Sequence, residues 1–135
     1  MAAEALELQR AVHAALAADS ALVAALGGEK IHDVTPAHLP FPYITFGRTS
    51  TYDWGSGTEE GSEHFFTLHV WSKQKSRKEA LELMERVHAA LHDSDLPLEG
   101  CRLVNLRLQS AEIRFDENLA VYDGMMRFRA AVEAL

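Results

Sequence analysis

Cysteine and positive charge are both scarce in this sequence. Cys101 is its only cysteine, so the chain can form no internal disulfide and no thiolate cluster for zinc. Its 13 lysines and arginines are outnumbered by 20 aspartates and glutamates, which gives a formal charge of −7 at pH 7. Because a broad nucleic-acid surface must neutralise many phosphates, this charge balance argues against nucleic-acid binding.

Long apolar runs are also missing. No stretch approaches the roughly 18 apolar residues that cross a membrane. The first ten residues, MAAEALELQR, carry Glu4 and Glu7 where a secretory signal carries positive charge. We therefore expect a soluble protein that is made in the cytoplasm and has no membrane partner. A length of 135 residues suits a single domain, residues 1–135, with one hydrophobic core.

Apolar residues recur at helical spacing in several places. Residues 2–18 form one stripe, and a short second segment follows that Asp19 or Ser20 can cap and two glycines end. The clearest helix is SRKEALELMERVHAALHD, where Ser76 and Glu79 have the spacing of a capping box. Its inward stripe is predicted to consist of Ala80, Met84, Val87 and Leu91.

Alternation of apolar and polar residues predicts the strands. A short strand is expected at residues 31–34, and clear alternation then marks YITFG from Tyr43 and EHFFTLHVW. Two long strands, CRLVNLRLQSAEIRF and LAVYDGMMRFRAAVEA, are joined by the turn-like DEN. Strands that are mostly adjacent in sequence favour the α+β class, here a mainly antiparallel sheet of about four strands with two helices packed on one face.

The segment TSTYDWGSGTEEGSEHFF, residues 49–66, separates two of these strands. A hairpin needs only about two to five linking residues. Glycines and acids without branched aliphatic residues leave little apolar area to offset the entropy of ordering, so residues 51–61 are expected to form a mobile loop. Tyr52 and Trp54 near its start are candidate anchors for a partner.

The strand EHFFTLHVW is aromatic on both sides. Alternate residues from Phe66 are expected to face the core, while Phe65, His69 and Trp71 share the other side. A platform on which RNA bases stack has similar residues, but residues 49–72 contain no lysine or arginine, so phosphates would be repelled there. An aromatic second face without a covering layer predicts contact with a partner subunit.

Two groups of polar residues have the composition of a chemical site but not its spacing. His88 and His92 lie four apart on the predicted helix, yet no third ligand follows, so no metal site is predicted. Glu59, Glu60 and Glu63 flank glycines in a mobile segment, whereas a general acid needs an apolar or strongly coupled setting. The sequence therefore predicts no enzyme, no cofactor and no metal.

Four segments carry a resemblance to a known family. They are PYITFG, FTLHVWSKQKSRKEALELMERVHAALHD, LPLEGCRLVNLRLQS and GMMRFRAAVEA. Within them, LHVWS, VHAALHD and RLVNLR are the most specific parts. The order and spacing, which cover nearly the whole chain from the first helix, resemble the tail terminators, the tail-completion family of long-tailed phages and gene transfer agents.

The resemblance implies a structural virion protein of the tail, located at the head-to-tail junction and made in the bacterial cytoplasm. Such a subunit forms a hexameric ring that ends growth of the tail tube and joins tail to head. Its partners are further copies, the tail tube protein and a head-side connector protein, and DNA passes through the channel without specific binding. The residues expected to contact subunits or the tube are Tyr52, Asp53, Trp54, Glu59, Glu60, Phe65, His69 and Trp71.

A second hypothesis comes from a different class of protein. In it, the chain is a small α+β module that binds a ligand or a peptide on its aromatic sheet face. A monomer with a defined apolar pocket would favour this alternative over the ring.

Overall fold

The described part of the chain contains three helices and five strands. This computed structural model describes residues 2–34, 38–54 and 60–135. The helices and strands are α1 (Ala2–Ala18), α2 (Ser20–Leu26), β1 (Ile31–His32), β2 (Tyr43–Asp53), β3 (Gly61–Ser72), α3 (Lys78–Leu91), β4 (Cys101–Asp116) and β5 (Val121–Ala134). The predicted α+β class is confirmed. The short strand expected at residues 31–34 is the two-residue β1, and the short second segment is the helix α2, whose N-cap is Asp19. Counting both brings the totals to five strands and three helices, against the expected four and two.

All five strands form one sheet in the order β1-β2-β3-β5-β4. β1 and β2 are parallel, and every other pairing is antiparallel, as the sequence predicted. Because β5 lies between β3 and β4, residues far apart in sequence become neighbours. Phe65 stands opposite Arg129, and Thr67 stands opposite Arg127.

The core lies between the sheet and the helices. Alternate residues of β3 from Phe66 are buried, as predicted, and so is the stripe predicted for α3. Met126, Phe128, Ala130 and Val132 of β5 are at most 1% exposed. Side chains of all three helices join those of β3 and β5 in one apolar cluster, so the helices cover the same face of the sheet, as expected.

The start of α3 differs from the prediction. Its N-cap is Arg77, which makes no side-chain cap hydrogen bond, and Ser76 Oγ accepts the backbone N–H of Lys78 at 3.3 Å and not that of Glu79. The capping box expected at Ser76 and Glu79 is therefore wrong. Glu79 instead accepts hydrogen bonds from Ser72 Oγ at 2.7 Å and from Gln74 Nε2 at 3.0 Å, because the end of β3 lies against this turn.

In the described ranges, no helix is long and apolar enough to cross a membrane.

The loop between β2 and β3 is shorter than the sequence predicted. β2 runs to Asp53 and β3 starts at Gly61, and the strands remain paired at this end. The Thr51 hydroxyl and the His64 imidazole are in hydrogen-bond contact across the two strands here, so the polar composition does not end the pairing. The expected loop of residues 51–61 is reduced to residues 54–60. Residues 55–59 lie outside the described residues, so mobility there remains a prediction.

Candidate interaction surface

The open face is the face of the sheet on which no described helix packs. On β3 it carries Phe65, Thr67, His69 and Trp71, which are partly exposed and alternate with buried residues, as predicted. Residues directly opposite them on β2 and β5 share this face, because paired residues of antiparallel strands point the same way. The sequence-predicted contact residues therefore belong to three places: two groups on the open face and the end of the β2–β3 hairpin.

The first group surrounds His69 and Trp71. Their rings stack with centroids 5.5 Å apart, and Trp71 Nε1 donates to Thr45 Oγ1 at 3.0 Å. His69 Nδ1 lies 2.8 Å from Oδ1 of Asp123, a residue only 2% exposed. A Cβ on Gly47 would lie 2.5 Å from His69 Nε2, so glycine at this position leaves room for the imidazole. These contacts join three strands and fix the orientation of both rings at the surface.

The second group surrounds Phe65. Tyr52 meets the Phe65 ring edge-on, with centroids 5.9 Å apart, and the guanidinium of Arg127 lies 4.8 Å from the centroid of the same ring. A cation over an aromatic face is attracted by the ring quadrupole. The group borders a shallow recess lined by Arg48, Ser50, Tyr52, Phe65, Thr67 and Arg127. This recess offers aromatic, hydroxyl and guanidinium groups together.

Trp54 closes the end of the β2–β3 hairpin. Its backbone N–H donates to the carbonyl of Gly61 at 3.1 Å, and a Cβ on Gly61 would lie 2.5 Å from the indole ring. The indole therefore lies directly over that glycine and is still 41% exposed. Asp53 and Glu60 are exposed beside it, whereas the predicted contact residue Glu59 lies outside the described residues.

The sequence patterns did not predict that arginines of β5 lie on the open face. Arg127 and Arg129 stand opposite Thr67 and Phe65, so the premise that no cation lies near the aromatic residues of β3 is wrong in the fold. The error arises because β5 pairs with β3 across a long sequence separation. The alternation RFR at residues 127–129, around a buried phenylalanine, is the signal in the sequence that places both arginines on the outer side.

Most of the arginines along β4 and β5 are paired with carboxylates. Arg129 Nε donates to Glu63 at 2.6 Å and Arg102 Nε to Glu133 at 2.6 Å. Two longer pairs are Arg107 with Asp93 at 3.2 Å and Arg114 with Asp123 at 3.7 Å. Within the described residues, Arg48 and Arg127 are exposed and have no such partner. Both of these arginines border the recess beside Phe65.

Three of the residues weighed for acid–base or metal chemistry, Glu63, His88 and His92, have other roles in the fold. Glu63 is the ion-pair partner of Arg129. The rings of His88 and His92 stack with centroids 4.6 Å apart, and His92 Nδ1 accepts the backbone N–H of Leu108 at 2.9 Å. Over residues 2–34, 38–54 and 60–135, no group of three or more potential metal ligands occurs.

A buried polar network contains a serine and a histidine in hydrogen-bond contact. Ser62 Oγ lies 2.7 Å from His64 Nε2, and Thr51 Oγ1 lies 3.2 Å from His64 Nδ1. The Ser62 hydroxyl also donates to the Glu4 carboxylate. Ser62 and His64 are both 0% exposed, so a substrate has no access to the hydroxyl. Burial lowers the pKa of His64, which favours the neutral imidazole, and the network joins α1 to the hairpin.

Comparisons with known proteins indicate one family. A sequence model described as tail completion protein gp17 matches residues 10–133. A chain in the virion of a native gene transfer agent particle is 33% identical, over 96% of this chain and 97% of that chain, with a TM-score of 0.88. The bacteriophage SPP1 gp17 protein is 24% identical, over 99% of this chain and 91% of that chain, with a TM-score of 0.64, which shows the fold alone. No curated protein matches the sequence.

The family match includes α3 and all five strands and begins within α1. It therefore spans the sheet that carries both groups of the open face and the hairpin that ends at Trp54. On this match, and on the full-length likeness to a chain of the gene transfer agent virion, the chain belongs to the tail completion protein gp17 family of structural virion proteins.

Proposed function

We propose that this protein forms a hexameric ring at the end of the tail tube, ends tail growth there and joins the tail to the head. The observation that carries the proposal is the family match over residues 10–133, together with the full-length likeness to a virion chain at 33% identity. The partners in this position are further copies of the chain, the tail tube protein and a head-side connector protein.

The open face and the hairpin end supply surfaces suited to such partners. Tyr52 is 57% exposed at the margin of the open face, and Trp54 is exposed at the hairpin end. Large aromatic side chains that are rigidly held supply most of the binding energy in many interfaces. We assign the subunit and tube contacts to Tyr52, Asp53, Trp54, Glu59, Glu60, Phe65, His69 and Trp71.

DNA passes through such a ring without specific binding. The chain carries a formal charge of −7, and four arginines of β4 and β5 are neutralised by carboxylates. Retention of a duplex requires several unpaired cations in a row along the phosphates. Arg48 and Arg127 alone do not form such a row.

The decisive experiment removes the gene from the particle-producing strain and images the products by negative stain. We expect filled heads and separate tails of irregular length, and restoration of joined particles by the wild-type gene. The purified protein, or the end of isolated tails, should show a six-fold ring by its mass and by class averages. Normal joined particles in the deletion strain would overturn the proposal.

The recess beside Phe65 favours a second candidate, a module that binds a peptide with an acidic side chain. Arg48 and Arg127 would pair with the carboxylate while Tyr52 and Phe65 contact the apolar part. Under this candidate the protein is a monomer in solution and loses peptide binding in Arg127→Ala. A stable ring that binds no such peptide excludes it.

A further inference from the structure

The sheet has two uncovered edge segments, one on each side. β1 pairs only with Ile44 and Thr45, so the outer side of β2 from Phe46 to Tyr52, here the β2 edge, pairs with no other described strand. On the opposite side, the end of α3 covers β4 only as far as Leu108. The outer side of residues 109–116, here the β4 edge, forms no backbone hydrogen bond with another described segment.

Bare strand edges of this length are templates for further strands, and natural proteins cover or disrupt them. An exposed aromatic side chain lies on each edge, Tyr52 on the β2 edge and Phe115 on the β4 edge, and Trp54 and Leu119 are exposed just beyond the ends of the two strands. Each edge also carries an exposed charge, Arg48 on the β2 edge and Glu112 on the β4 edge. Aromatic groups beside charges of opposite sign suit a protein partner that covers both edges.

The directions of the strands identify this partner as a second copy of the chain. The antiparallel steps from β2 through β3 and β5 to β4 make β2 and β4 antiparallel to each other. A rotated copy therefore brings its β2 edge against the β4 edge in antiparallel order, the pairing with well-aligned hydrogen bonds. Each copy uses two different edges, so the contact is heterologous and can close into a ring.

The heights of the two edges along the sheet are also suited to closure. Phe46 lies at the level of Leu68 of β3, and the β2 edge extends from there towards the hairpin end. Ala111 lies at the same level, through Met126, but the β4 edge extends from there in the other direction. When the two edges are joined, each copy is therefore displaced along the strand direction relative to its neighbour. A sheet that closes on itself requires such a stagger between its strands.

Charge complementarity selects the register. Arg48 on the β2 edge and Glu112 on the β4 edge are both exposed, and neither has an ion-pair partner among the described residues. Arg48 lines the recess of the open face, and Glu112 points to that face because it stands opposite Met125. Placing Arg48 opposite Glu112 in the antiparallel order places Ser50 opposite Ser110.

We propose that the β4 edge of one copy pairs with the β2 edge of the next, with Arg48 facing Glu112, so that one sheet continues from subunit to subunit. This inference rests on the proposed ring. It adds which surfaces join the copies and how they are aligned. The pairing buries Phe115 of one copy near Phe46 of its neighbour.

Cysteine pairs test the alignment on the assembled protein. Ser50→Cys and Ser110→Cys are made separately and co-expressed, and Cys101 stays because it is buried. After mild oxidation of rings or of completed tails, we expect disulfide-linked dimers from the co-expressed pair and none from either variant alone. Dimers from Ser110→Cys alone would show a two-fold β4–β4 contact and overturn the inference.

Charge reversal gives an independent readout. Arg48→Glu and Glu112→Arg should each reduce the ring fraction at least tenfold by mass measurement, and the double variant should restore it. Arg86→Glu on the exposed side of α3 is the matched control and should leave rings intact. If rings form without the mixed disulfide and both charge reversals leave the ring fraction unchanged, this inference is overturned while the proposed function stands. If the wild-type protein forms no ring in solution or on tails, the proposed function is overturned.

Discussion

At the residue scale, His64 makes stability depend on pH. Burial lowers its pKa from the ordinary 6.5, although the Glu4 carboxylate opposes this shift. In the window between the two values the unfolded chain binds more protons than the folded chain, so stability is full above the ordinary pKa and is lost as the pH falls through the folded pKa. We expect the free energy of unfolding to fall more steeply from about pH 7 to about pH 5 in wild type than in His64→Gln.

Denaturant titrations at each pH measure this slope. His38→Asn is the matched control, because His38 is exposed and has a φ of 65°, a conformation that asparagine tolerates. The control should keep the wild-type slope. Identical slopes for wild type and His64→Gln would show that His64 does not contribute.

Trp71 allows a second test at the scale of one side chain. It lies on the open face and is half-buried, whereas its neighbour Leu68 is 0% exposed in the core. Leu68→Ala should cost about 2 to 5 kcal/mol of stability, as for other core leucines. Trp71→Ala should cost less, since the lost contacts are surface contacts with His69, Thr45 and Tyr43, but it should weaken ring assembly more.

Thermal unfolding and the mass of the assembled protein separate these two effects. Trp71→Phe serves as the control, because it retains an aromatic ring and loses only the donor to Thr45. If Trp71→Ala destabilised the subunit as much as Leu68→Ala does, Trp71 would be a folding residue and not a contact residue.

At the element scale, α3 is seated on β5 through a close contact. A Cβ on Gly124 would lie 2.6 Å from Met84 Sδ, so glycine lets the helix side chain approach the strand. We expect Gly124→Val to destabilise the subunit by about 1 to 3 kcal/mol through overpacking. Met84→Ala in the same chain should recover part of this loss, and a double-mutant cycle on unfolding free energies measures the coupling. Strictly additive losses would show that the contact does not limit the packing.

The end of the β2–β3 hairpin allows a test of the contacts assigned to Trp54 and the acids near it. Replacing residues 54–60 by Asn-Gly leaves β2 and β3 intact and removes Trp54 and the acids near it. We expect a folded subunit whose tails fail to join heads, because Trp54 is lost as an anchor. In wild type, limited proteolysis should cut residues 54–60 in the free subunit and spare them in the particle. Normal joining by the shortened protein would make these residues a dispensable spacer.

Local patterns determine the elements but not the contacts between distant ones. Alternation was sufficient to predict the buried side of β3, and helical spacing was sufficient for the stripe of α3. The same patterns do not predict the arginines beside Phe65, because β5 is far from β3 in sequence and pairs with it only in the folded sheet. They also place Glu79 in a capping box, whereas its carboxylate accepts a hydrogen bond from Ser72 at the end of β3. The errors therefore occur where tertiary pairing competes with a local rule.

At the scale of the whole molecule, charge pairing governs the encounter with DNA. The formal charge is −7, and Arg129 and Arg102 are held by Glu63 and Glu133. We expect no binding of duplex DNA at physiological salt, as measured by fluorescence anisotropy. Glu63→Gln with Glu133→Gln frees both guanidinium groups and changes the charge by two, from −7 to −5.

This double variant should show weak DNA binding at low salt that falls steeply as salt is added, because each phosphate contact releases counterions. Glu85→Gln with Glu117→Gln is the matched control, since it makes the same change in net charge at exposed carboxylates that pair with no cation among the described residues. Equal binding by both double variants would show that net charge alone governs the encounter. Salt-sensitive binding by the wild type would contradict passage without binding, and Arg48 and Arg127 would then be the first residues to test as phosphate contacts.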